Sequence, residues 1–170
     1  MRDSILECRA ARQHRTQPPS RPARILAYFG GTDDTGMARF VHAALIATGL
    51  PLTATVVDPT LTAPLRMGAA AESAQEFLFR PPESAIPMLA AEADIVICAA
   101  GTSLLEQMCI GSAIVLVQTA DNQESNYHFA VESLVAVGLG NSGSAQANPR
   151  SAAAAIRKLL VEPSEVLRLR

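Results

Sequence analysis

From Arg24 onward, short apolar runs of β-forming residues alternate with longer stretches of helical period, and few folds accept that pattern. A strand followed by a helix pairs in parallel with the next strand, because the helix carries the chain back across the sheet. The strand runs fall at residues 25–29, 52–57, 76–79, 94–98 and 113–117. Several lack polar alternation, as strands covered by helices on both faces do. Between them Met37, Phe40, Val41, Ala44 and Leu45 share one helical stripe, which Gly49-Leu50-Pro51 stops. Ser84 is placed to cap a helix through Ile86, Met88 and Leu89, and Leu104, Leu105 and Met108 form a stripe ended by Gly111. Helices over residues 122 to about 137 and 149–161 complete the series. The expected fold is α/β, a Rossmann-like doubly wound parallel sheet of five to six strands.

At 170 residues the chain is sized for one domain, and 49% hydrophobic against 18% charged residues gives it enough apolar mass for a core. Residues 1–24 read as an arm or linker ahead of a domain over 25–170. The arm holds six arginines (Arg2, Arg9, Arg12, Arg15, Arg21, Arg24) against Asp3 and Glu7, about +4, which leaves about −6 on the rest of a chain whose total is −2. A basic arm can bind nucleic acid, but this one has no aromatic residue to stack a base and leads into an acidic body. Pro18, Pro19 and Pro22 favour a solvated, extended spacer, and no nucleic-acid partner is expected. Cys8, Cys98 and Cys109 form no metal or disulfide spacing, no apolar run is long enough for a membrane span, and the first residues are too polar for a secretory signal. A soluble, cytoplasmic protein is expected.

In an open α/β sheet, ligands bind beyond the carboxyl ends of the strands, where helix N-termini offer amides to anions. Three strand-to-helix loops qualify. Gly30-Gly31-Thr32-Asp33-Asp34 follows the first strand; glycine lets a phosphate approach the backbone, while the alternative is a tight turn with Asp33 or Asp34 capping the helix. The loop is neither G-x-G-x-x-G nor a phosphate loop with Lys. The aspartates also fit a receiver domain with Asp58 as acceptor, but Lys158, the sole lysine, cannot supply that fold's lysine. Gly101-Thr102-Ser103 follows a buried strand and presents bare amides and two hydroxyls suited to a diphosphate, with Glu106 one turn on for ribose hydroxyls. Ser103 and Glu106 equally have capping-box spacing. The run of residues 118–126 offers amides, Asn122 and Gln123 among them, that suit sugar hydroxyls; capping by Asp121 or Asn122 is the alternative. His14, His42 and His128 lack partners at metal or nucleophile spacing, His42 reading as exposed, and no catalytic constellation stands out.

Taken in order, Phe29-Gly30-Gly31-Thr32-Asp33, Phe79-Arg80-Pro81-Pro82, Gly101-Thr102-Ser103 with Glu106, Gly111 and Asp121-Asn122-Gln123 resemble the C-terminal half of the UDP-sugar hydrolases of pseudaminic acid biosynthesis. That half is similar to the one in MurG-type glycosyltransferases, and both have two Rossmann domains in the GT-B architecture. The resemblance covers about residues 24–161. It implies that backbone at Phe79 and Arg80 meets the uracil, that Gly101, Thr102 and Ser103 take the diphosphate, Glu106 the ribose, and Asn122 and Gln123 the sugar or its phosphate. Gly30, Gly31 and Thr32 would border the cleft. Pro87 stands where the family has Asn or Asp before Met88, which bears on the local helix start. The hydrolases' catalytic His lies in a glycine-rich loop of an N-terminal domain that has no counterpart here.

The resemblance therefore implies a UDP-binding C-terminal domain of a nucleotide-sugar hydrolase, its partner an N-terminal Rossmann half in cis or trans. It implies a UDP-sugar substrate and no metal or other cofactor. The donor domain of a MurG-like glycosyltransferase is the alternative within enzymes, and a non-catalytic nucleotide-binding or scaffolding partner the alternative outside them.

Overall fold

The computed structural model describes residues 3–13, 22–68, 74–82 and 85–170. Seven strands form one sheet: β1 (Ala23–Tyr28), β2 (Leu52–Val57), β3 (Leu65–Gly68), β4 (Gln75–Arg80), β5 (Ile95–Ala99), β6 (Ala113–Gln118) and β7 (Ala136–Asn141). Their order is β3-β4-β2-β1-β5-β6-β7, all pairs parallel except β3 with β4. The order reverses between β1 and β5, the switch point at which such sheets open a crevice. The five expected strands are all present, and the sheet has one strand more than the upper expectation.

The helices are α1 (Asp3–Gln13), α2 (Met37–Ala47), α3 (Ile86–Glu92), α4 (Ser103–Ile110), α5 (Glu124–Glu132), α6 (Ser142–Ala147), α7 (Pro149–Val161) and α8 (Pro163–Arg168). On one face Ala27, Val56, Phe77, Ile97 and Val115 pack with Val41, Leu45, Ile156 and Leu159 of α2 and α7. On the other, Leu26, Val96, Cys98 and Ile114 pack with Ile5, Ala90, Leu104 and Ile110 of α1, α3 and α4. Strand residues of alternating parity thus feed two apolar layers, which is why the strands read as unbroken apolar runs.

Three details differ from the sequence reading, and one expectation, the Ser84 cap, falls outside the described residues. The helix from residue 122 stops at Glu132, and Ala136-Val-Gly-Leu-Gly-Asn141 is the edge strand β7, whose two glycines mask its strand character. The β2-to-β4 connection carries the further strand β3, which is exposed throughout, so no apolar run marks it. Ser84 lies outside the described residues, yet α3 forms with Pro87 in its first turn, where no N–H is needed.

The third difference concerns the arm. His14, Arg15, Pro18, Pro19 and Arg21 lie outside the described residues, but Asp3–Gln13 is a helix packed on α3 and α4 and not a solvated spacer. Its Arg12 is buried, and its guanidinium donates to the carbonyls of Ala90 (2.8 Å), Ala93 (2.7 Å) and Gly111 (2.7 Å). A cation is thereby set on the carbonyl-rich ends of two helices, where the helix dipoles favour it.

Candidate functional site

The first loop is shaped by its own backbone. Gly30 is at φ +95°, Asp33 at φ +45° and Gly36 at φ +67°, so the chain turns sharply between β1 and α2. Asp33 caps α2: its carboxylate accepts from the N–H of Met37 at 2.9 Å and of Ala38 at 2.8 Å. The capping alternative for this loop is therefore realised, and Asp33 is committed to it. Gly30, Gly31 and Thr32 remain exposed above it. From β7's side, Gln146 of α6 donates to the Thr35 carbonyl at 2.7 Å and steadies the loop.

The second loop leaves β5 beside β1. Ala100 N–H is tied to the Val117 carbonyl, and Leu104 N–H to that of Gly101. The N–H groups of Gly101, Thr102 and Ser103 find no acceptor among the described residues, and Thr102 at the N-cap forms no side-chain cap bond. Three bare amides at the start of a helix favour an anion. Thr102 is exposed, Ser103 half-buried, and Glu106 half-buried on the same first turn. Beneath this turn Tyr28 and Cys98 are buried, and burial pushes the Cys98 thiol up to about 12.

The third loop is joined to the second. Gln123 Oε1 accepts from both Thr119 N–H (2.9 Å) and Thr119 Oγ1 (3.1 Å), so its carbonyl is fully used and its NH2 is turned the other way. That NH2 nitrogen lies 3.6 Å from where a Cβ on Gly101 would sit. Gln123 is thus a fixed donor beside the α4 amides, its acceptor already used within its own loop. Asn126 adds a second tie, donating to the Ala100 carbonyl at 3.2 Å. Asn122 is exposed and has no tie to the other loops among the described residues; neither it nor Asp121 forms a cap bond. Asn126 lies in the 118–126 run, but its role, like that of Gln146, depends on a contact between loops, and Thr119's on the turn that brings Gln123 back onto it, none of which a single run displays.

At β4 the Phe79 side chain is buried on the α2 face, with the His42 ring edge-on at 4.9 Å and Phe77 a further edge contact to His42 at 4.5 Å. His42 is therefore half-buried against the sheet and not exposed, and burial lowers its pKa below 6.5. The Arg80 carbonyl already accepts from Asp58 N–H at 2.9 Å, while Asp58 closes its own turn by accepting from Thr60. A cavity of about 360 Å³ opens here between Phe79, His42, Asp58 and Thr60. A larger cavity, about 650 Å³, lies instead over Arg24, Thr53 and Glu76 near the amino ends of the strands, the end where helix dipoles do not favour anions. His128 is exposed and pairs with Glu132 at 3.5 Å. Among the described residues no three His, Cys, Asp or Glu side chains gather as metal ligands, and no helix is long and apolar enough to cross a membrane.

No family model and no curated protein sequence matches the chain. Solved structures do match its fold. MurG of Acinetobacter baumannii superposes with a TM-score of 0.68 at 20% identity, over 92% of this chain and 48% of that one. The glycotransferase of kitacinnamycin gives 0.61 at 17%, over 90% and 38%, and Arabidopsis thaliana UGT89C1 complexed with UDP gives 0.53 at 18%, over 97% and 40%. The chain spans half or less of each of these proteins, and none of them is a sugar-nucleotide hydrolase by name. What the likeness shows is the fold: a seven-stranded, mostly parallel α/β domain of the kind that forms the C-terminal half of GT-B glycosyltransferases.

Proposed function

We propose that this chain is the nucleotide-sugar-binding half of a GT-B glycosyltransferase, holding a UDP-sugar at the carboxyl ends of β1 and β5. The observation that carries it is the start of α4: three unpartnered amides at the switch point, flanked by the inward-turned NH2 of Gln123 and by the open Gly30–Gly31 edge. In this reading Gly101, Thr102 and Ser103 take the diphosphate, Glu106 the ribose, Gln123 an oxygen of the sugar or its phosphate, and Asn122 lends a sugar contact from the rim. The uracil rests against backbone at Phe79 and Arg80, with the cavity beside Phe79 as its room. Amides aimed at the diphosphate would hold charge on UDP as it leaves the anomeric carbon, with no reorganisation at that moment. The general base comes from the N-terminal half.

The hydrolase reading draws its support from the Gly-Thr-Ser-x-x-Glu and Asn-Gln runs alone, whereas the fold likenesses are to transferases. Supplying the N-terminal half and UDP-sugar separates them: UDP release without an acceptor marks a hydrolase, and acceptor dependence a transferase. The binding site itself is tested by calorimetric titration with UDP. Glu106→Ala should weaken binding by roughly tenfold, the worth of hydrogen bonds to a charged acceptor; equal heats for variant and parent would remove the ribose assignment.

A further inference from the structure

Tyr28 ends β1, directly opposite Cys98 of β5 at the switch point. Its side chain is only 6% exposed and belongs to the apolar layer with Cys98, Ala100 and Leu104, beneath the first turn of α4. A phenol hydroxyl buried there calls for a partner, and this one makes no hydrogen bond of good geometry within the chain. It faces the side chains of Ser103 and Gln107, with Glu106 nearby; burial above all raises its pKa, so it stays a proton donor at any physiological pH. Gln107 is fully buried, and its orientation is set from the far side, where Ser112 Oγ donates to Gln107 Oε1 at 3.0 Å. Gln107 Nε2 therefore points away from Ser112, and it too is buried without a partner. Two orphaned polar groups are thus neighbours, next to Ser103 in the first turn of α4.

Resting on the reading that those amides hold a diphosphate, we propose that Tyr28 is a positioning residue for the anion: its hydroxyl accepts from Gln107 Nε2 and donates to Ser103 Oγ, so that Ser103 turns its own proton outward to a phosphate oxygen. The donors then run one way, from Ser112 through Gln107, Tyr28 and Ser103 to the ligand. Hydrogen bonds in such a chain polarise one another, and the last, made to an anion, is the strongest. The slack geometry under α4 fits this role, since bonds of this kind tighten when the charge they serve arrives. A tyrosine kept only for packing needs no hydroxyl there, and phenylalanine would fill the same volume without an orphan.

The test is calorimetric titration of the parent, Tyr28→Phe, Ser103→Ala and the double variant with UDP and with uridine, together with thermal melts. Tyr28→Phe should weaken UDP by roughly 3- to 10-fold, leave uridine within about twofold, and melt no lower than the parent because an unsatisfied hydroxyl is gone. Ser103→Ala should cost UDP binding as well, and Tyr28→Phe should add nothing in its background. Unchanged UDP affinity in Tyr28→Phe, or an equal loss for UDP and uridine, overturns the positioning role and leaves the UDP site standing. A parent that binds no UDP removes the site and the role of Tyr28 together.

Discussion

Gly30 and Gly31 are neighbours with different reasons to be glycine. Gly30 sits at φ +95°, where any Cβ is strained, whereas Gly31 has neither a left-handed φ nor a protein atom within 4 Å of the place an added methyl would occupy. Gly30→Ala should therefore lower stability by about 1 kcal/mol. Gly31→Ala should leave the melting temperature unchanged and weaken UDP, because no atom of the described residues stands where the methyl would go and a bound ligand would; a Gly31→Ala protein that binds UDP like the parent would take that loop out of the site. His42 gives a second residue-scale test. Its folded pKa is depressed by burial, so below about pH 6.5 the unfolded chain binds more protons than the folded one. The stability tied to a neutral His42 is whole above that pH and is lost as pH falls through the folded pKa. Melts at pH 7.5 and pH 5 should show a smaller acid loss in His42→Gln than in the parent.

Whole elements are legible where burial imposes a pattern, and illegible where it does not. The five central strands and α7 announce themselves because both faces are apolar or one stripe is, whereas β3 is exposed throughout and β7 is glycine-rich and edge-lying. The helix α1 escapes notice because, among its described side chains, only Ile5 and Cys8 are buried and apolar, and its main anchor is a cation, Arg12, which on sequence reads as part of a basic arm. The local chemistry of the loops is readable in the same way: glycines and helix starts mark the mouth, but the inward turn of Gln123 depends on Thr119, and the burial of His42 depends on where Phe77 and Phe79 stand. The α1 anchor can be tested directly. Arg12→Leu strips the donors from the Ala90, Ala93 and Gly111 carbonyls and should cost about 2–4 kcal/mol in denaturant unfolding. Cys8 reports the cause, since burial first and Glu7 second raise its thiol pKa and so lower its thiolate fraction. Loosening α1 should make Cys8 react faster with a thiol reagent; unchanged labelling would mean that Ile5 alone holds the helix down.

At the scale of the molecule, the proposed ligand touches loops that the fold brings together from four separate stretches: residues 30–32, 79–80, 101–106 and 122–123. The unfolded chain cannot assemble them, so UDP should bind only the folded state and raise its stability by mass action. At a UDP concentration of 100 times Kd the gain is about 2.7 kcal/mol, which for a chain of this size lifts Tm by roughly 5–10 °C. The rise should order as UDP, then UMP, then uridine, because the amides of Gly101, Thr102 and Ser103 discriminate by phosphate charge and not by base. Chemistry is another matter. The groups under the mouth with strongly shifted pKa values, Tyr28 and Cys98, are both driven toward their protonated forms by burial, and neither can take a proton from an acceptor or a water. The chain by itself should then shift thermally with UDP while leaving UDP-sugar intact over hours. Release of UDP by this chain alone, at a rate above that of buffer, would place a base within these residues and overturn the division of labour between the two halves.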